Sequence, residues 1–155
     1  MFKFAKKRQV LWPVTAQVPA DDGSGAVRDV TFRVRYLLMT REELATVARQ
    51  SLDLMRAGDI DSQIEAMSEE RVRESVALMQ RHVVGWDGIS GEDDQPLPFT
   101  ADNLNALLAV PYLHRAIASG LSDASVGAPA KNSRPGSDTT PPQTASAQAT
   151  ASPAA

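Results

Sequence analysis

The chain contains no cysteine. Disulfides, thiolate metal sites and cysteine nucleophiles are thereby excluded, and a reducing compartment fits. Histidine is almost as scarce. His82 and His114 are the only two, they fall in separate expected helices, and neither belongs to an HxxxH or HExxH arrangement that sets two ligands on one face. A solvent-facing or capping role is expected of both, with no metal site. Walker-type glycine loops, the GxGxxG fingerprint and the GxSxG nucleophile elbow are missing too, so neither a cofactor nor a catalytic residue is expected. A long apolar run is also lacking. The start, Met1-Phe-Lys-Phe-Ala-Lys-Lys-Arg8, is basic, but Pro13 and Thr15 interrupt the apolar stretch after it well before the length of a signal-peptide core or a membrane span. A soluble, unexported protein with no membrane partner is expected. Basic charge is not in excess: 16 Lys and Arg stand against 19 Asp and Glu, a net charge of −3. Phosphate neutralisation demands a concentrated basic surface, so no nucleic-acid partner is expected, and Lys3, Lys6, Lys7 and Arg8 are the contact such a partner would use.

A length of 155 residues fits one domain, and part of it is unsuited to folding. From residue 127 to 155, Ala, Pro, Ser, Thr and Gln dominate, with no Leu, Ile, Val or aromatic residue. Such a segment cannot bury enough apolar area to offset about 1–2 kcal/mol per residue of backbone ordering entropy. Residues 1–126 are therefore expected to form a single α+β domain, followed by a disordered tail over 127–155.

Two strands open the domain as an antiparallel hairpin over about residues 8–37. Val10, Trp12, Val14, Ala16 and Val18 alternate with Leu11, Pro13, Thr15 and Gln17. The period of two puts Trp12 and the valines on one face, and Pro13, lacking an amide donor, marks an edge strand. Asp21-Asp22-Gly23-Ser24-Gly25 supplies the turn. Val30, Phe32, Val34 and Tyr36 then alternate with Thr31, Arg33 and Arg35, which predicts one apolar and one polar face.

The apolar face needs a cover. Thr40-Arg-Glu-Glu43 is a capping box opening a helix over about 41–57, with Leu44, Val47, Ala48, Leu52 and Met55 as its buried stripe. A second helix is expected over about 62–82, with Ile64, Met67, Val72, Val76 and Met79 on one side. Ser68, an acceptable N-cap, leaves open whether that helix is broken. Thr100 caps a short helix over about 101–109, and Pro111 suits the first turn of another over about 111–122.

Between the second and third helices lies Val83-Val-Gly-Trp-Asp-Gly-Ile89. A Trp beside two glycines is a structural plug, its ring buried where a chain without side chains passes close by. Trp86, Gly85 and Gly88 are read in that way, and Trp12 and Phe32 as hairpin core. The pair Asp21-Asp22 and the run Glu92-Asp93-Asp94 could attract a divalent cation, but neither has the alternating ligands of an EF-hand loop, so each reads as a charged turn.

The order of these parts resembles the tail assembly chaperones of long-tailed, siphovirus-like bacteriophages and prophages, the lambda G protein-like group. Four stretches carry the likeness: Leu11-Trp-Pro-Val14 with its Asp-Gly turn; Val30-Thr-Phe-Arg-Val-Arg-Tyr36 leading into Thr40-Arg-Glu-Glu-Leu44; Val84-Gly-Trp-Asp-Gly-Ile89; and Leu97-Pro-Phe-Thr100 with Asn103-Leu104, Leu107-Leu108, Pro111 and Lys131-Asn132. The resemblance implies a non-enzymatic assembly factor in the host bacterial cytoplasm, absent from the mature virion. It implies binding to the tape measure protein, with the tail tube protein as a second partner and self-association as a further option. The other reading is a minor structural tail or head–tail joining protein retained in the virion.

Leu104, Leu107, Leu108, Tyr112 and Leu113 offer more apolar area than two short helices need, and form a candidate partner surface for such a role. The competing reading is that they close the core. Arg33 and Arg35, with Arg28, line the polar face of the second strand and are candidates for contacting an acidic partner.

Overall fold

A computed structural model describes residues 1–56 and 68–130. The order of elements is β1 (Gln9–Pro19), β2 (Val27–Leu37), α1 (Arg41–Arg56), α2 (Glu69–His82), β3 (Val83–Asp87), α3 (Ala101–Leu108) and α4 (Pro111–Val126). The architecture is α+β: among the described residues, an antiparallel hairpin extended by β3 packs with four helices. The expected helix over 62–82 falls partly outside the described residues, Ile64 and Met67 included. Its described part begins at Glu69, with Ser68 as N-cap. The expected tail lies outside them from residue 131 onward.

The hairpin follows the alternation. β1 and β2 pair from Gln9↔Leu37 to Pro19↔Val27. At the turn, Asp22 Oδ1 accepts the Ser24 amide and Ser24 Oγ accepts the Ala26 amide. Val14, Ala16, Phe32, Val34 and Tyr36 are buried on one face, with Val10, Trp12 and Val18 half-buried. Val30, expected on that face, is exposed near the hairpin tip.

The segment 83–89 contains a strand that the pattern did not announce. β3 lies antiparallel to β2, pairing Val34↔Trp86 and Arg35↔Gly85, with a bulge before Tyr36↔Val83. The sheet order is β1-β2-β3, so β2 is central and β1 is an edge. Gly88, just past the strand, has φ +83°. A side chain at that position would be strained whatever the space around it.

The pattern assigns the sheet's cover to α1, and the structure assigns it to α4, which packs along β1. The reason is the spacing of small residues. Ala116, Gly120 and Ala124 recur every four positions and face inward, with Ile117 and Leu121 buried beside them. A Cβ at Gly120 would stand 2.7 Å from the Tyr36 hydroxyl and 2.8 Å from Val14 Cγ2, so these two side chains seat directly on the helix backbone where only glycine leaves room. The Tyr36 hydroxyl donates to the Ile117 carbonyl at 2.8 Å. α4 also runs one turn past its expected end, to a left-handed Gly127 whose amide bonds Ala124. Within the expected tail, Ala130 is buried.

α1 has the predicted capping box: Thr40 Oγ1 accepts the Glu43 amide, and Glu43 Oε2 accepts the Thr40 amide. Leu44 and Val47 are half-buried against the core, whereas Ala48 and Leu52 of the expected stripe are exposed. α3 is capped by Thr100, whose hydroxyl accepts the Asn103 amide at 3.1 Å.

Candidate functional site

The candidate partner surface on α3 and α4 divides. Leu104 and Leu108 are each 3% exposed and belong to the core, so they offer nothing to a partner. On an eight-residue helix, positions four apart share one side, and here that side faces inward. Leu107, Tyr112 and Leu113 are half-buried. Tyr112 has a second setting, a groove of about 630 Å³ between β1 and α4, walled also by Trp12, Gln17, Arg115 and Ala116. Ala130 lines the same groove.

The edge of β1 beside this groove is interrupted. Backbone bonds from Ala20 N to Ala26 O and from Leu38 N to Arg8 O fix which positions of the strand face its neighbour. Hydrogen-bonded and non-bonded pairs alternate along an antiparallel ladder, so the even positions of β1 turn their amides toward β2 and the odd ones turn theirs outward. Pro13 is odd. Its missing N–H therefore costs no ladder bond, and it breaks the row of donors that another strand would need.

The opposite face of the sheet is polar and open. Thr15 and Thr31 join hydroxyls across β1 and β2 at 2.7 Å. Arg33 is paired with Asp87, its register partner on β3, so this guanidinium is engaged within the chain. The stem of Arg35 lies beside Gly85: a Cβ there would be 3.6 Å from the Arg35 Cβ. That is an ordinary van der Waals distance, and Gly85 has no left-handed φ, so neither space nor backbone angle requires a glycine there. Arg35 is exposed on this face, whereas Arg28, expected here too, pairs with Val18 and shares the side of Phe32 and Val34, where it is exposed near the hairpin tip.

Trp86 is half-buried in β3. Its indole N–H donates to the Leu97 carbonyl at 2.8 Å, and its ring meets Phe99 edge-on with centroids 4.8 Å apart. The residue fastens the loop before α3 to the sheet. Around that loop the acidic run makes turn bonds: Asp93 Oδ1 accepts the Gln95 amide at 3.1 Å.

The histidines depart from expectation, since neither is solvent-facing. His82 is buried, and its ring nitrogens lie 2.7 Å from the Leu37 carbonyl and 3.2 Å from Glu43 Oε1. His82 follows Met79 by three positions on the inward side of α2, a spacing that would have marked it as interior. His114 Nε2 is 2.7 Å from Ser75 Oγ, joining α4 to α2, and burial lowers its pKa below the ordinary histidine value. A serine and an imidazole at that distance can exchange a proton, yet among the described residues no carboxylate is bonded to the other ring nitrogen to orient a base. Ser75 and His114 line a second groove, of about 880 Å³, between α1, α2 and α4.

Among the described residues no three His, Asp or Glu side chains gather closely enough to hold a metal ion. Nor, among them, is any helix long and apolar enough to cross a membrane. The geometry is that of a small domain with grooves, an open polar sheet face and a blunted strand edge. No protein-family model matches the chain, and no curated protein or solved structure matches it either.

Proposed function

We propose that the chain is a bacteriophage tail assembly chaperone. It acts in the cytoplasm of the host bacterium, binds the tape measure protein, keeps that protein soluble and helps recruit tail tube subunits. The observation that carries the reading is the order of its sequence patterns, from Leu11-Trp-Pro-Val14 through Val84-Gly-Trp-Asp-Gly-Ile89 to Leu97-Pro-Phe-Thr100. The fold gives it support. These patterns fall on an edge strand, a third strand and the tethered loop before α3, and the groove between β1 and α4 has an aromatic wall from Trp12 and Tyr112 of the kind that receives amphipathic segments. Buried Leu104 and Leu108 leave the role to Trp12, Tyr112 and their neighbours.

Co-expression with the tape measure protein of the same phage tests the reading. The tape measure protein should move from the pellet to the soluble fraction and co-purify with the chain, and mass spectrometry of finished particles should find the chain absent. An unchanged pellet removes the chaperone function. Stoichiometric presence in particles replaces it with a retained minor tail or head–tail joining protein.

A further inference from the structure

His82 closes α2 at 4% exposure, and both its ring nitrogens face oxygen. Nδ1 meets the Leu37 carbonyl at the end of β2, and Nε2 meets Oε1 of Glu43 in the first turn of α1. A carbonyl only accepts. Glu43 is held in its ionised form, since the Thr40 amide, and after it His82, keeps its carboxyl below the usual carboxylate range. Its oxygens therefore accept as well. A neutral imidazole has one N–H to offer two acceptors, and an imidazolium has two. Glu43 is also shared: Oε2 completes the capping box of α1 while Oε1 takes the histidine.

We propose that His82 and Glu43 form a proton-operated latch, which holds the start of α1 against the junction of β2 and α2 while the imidazole carries both protons. Loss of one proton leaves a ring lone pair facing either a carbonyl or a carboxylate, and that contact turns repulsive. The latch therefore opens when base removes one of the two ring protons. It opens again in acid, when Glu43 is protonated. Among the described residues Glu43 is the one charged side chain within ion-pair distance of His82, and the group facing it from β2 is the uncharged Leu37 carbonyl. Opening would loosen one wall of the larger groove, to which α1 contributes Glu43, Thr46 and Val47.

The test uses the full chain with nitrogen-15 label. At pH 6 the His82 ring should show two protonated nitrogens. As pH is raised toward 9, hydrogen-exchange protection at the Thr40, Glu43 and Leu44 amides, corrected for intrinsic rates, should fall about tenfold in step with loss of the ring proton, the scale of one charge-assisted hydrogen bond. Glu43→Gln, which keeps an acceptor for Thr40, should abolish that dependence. A single ring N–H at pH 6 overturns the proposal, as does protection that stays flat to pH 9. Both readouts are taken on the unaltered chain, so the outcome stands even if the variant does not fold.

Discussion

The Tyr36 hydroxyl donates to the Ile117 carbonyl at 2.8 Å, joining the central strand to the covering helix across 81 residues of chain. The ring is fully buried, and burial, reinforced by the charge of Asp123, raises the phenol's pKa so that it remains a donor. Beside it Gly120 has no room for a methyl group. Gly120→Ala should lower unfolding free energy by about 1–3 kcal/mol through overpacking, despite the better helix propensity of alanine. Tyr36→Phe should cost about 1 kcal/mol, the net worth of one hydrogen bond. In a double-mutant cycle read by urea unfolding, alanine should cost less in the phenylalanine background, because the hydroxyl it strikes is gone.

Trp86 holds its loop by one polar and one aromatic contact. Trp86→Phe keeps the ring contact and deletes the donor, for an expected loss of about 1 kcal/mol. Trp86→Ala removes both, with about 3 kcal/mol expected from lost packing. Equal losses in the two variants, measured by chemical denaturation, would show that packing against Phe99 contributes nothing.

Pro13 should matter for association more than for stability. Thr at this position restores an outward amide in the middle of the β1 edge without touching the ladder to β2. Pro13→Thr is expected to fold with unchanged stability within about 0.5 kcal/mol and to self-associate through that edge. Sedimentation velocity across a concentration series reads the effect, and a variant no more associated than the parent would show that the proline does not guard the edge.

His114 gives the fold an acid limit. Desolvation depresses its pKa, so the folded chain binds this proton less readily than the unfolded chain. The associated stability is present above the ordinary histidine pKa and is lost as pH falls through the lowered one. Denaturation midpoints should therefore decline as pH is lowered from 7 toward 5, and His114→Gln should flatten that decline. A parallel decline in both proteins would assign it to other groups.

The elements closest to local chemistry were legible. Alternation gave the hairpin, Thr40-Arg-Glu-Glu43 gave the start of α1, and Thr100 and Pro111 opened their helices as expected. What lay hidden depends on partners distant in sequence. Val83–Asp87 has neither a turn before it nor a clean alternation, and becomes a strand because β2 presents an open side. The amphipathic stripe of α1 shows that it packs without showing against what, while the small residues that make α4 the cover read as indifferent helix formers. Leu104 and Leu108 looked available because burial is a property of the assembled core. Arg33 looked free because its partner, Asp87, lies 54 residues away.

The order β1-β2-β3 under α4 also fixes a timetable for synthesis. The hairpin is made before its cover. At about 5–20 residues per second, some 4–16 s separate the appearance of Tyr36 from that of Ile117, the residue it bonds. Until then Val14, Phe32 and Val34 present an oily plate to the crowded cell, as a nascent chain in need of shelter of its own.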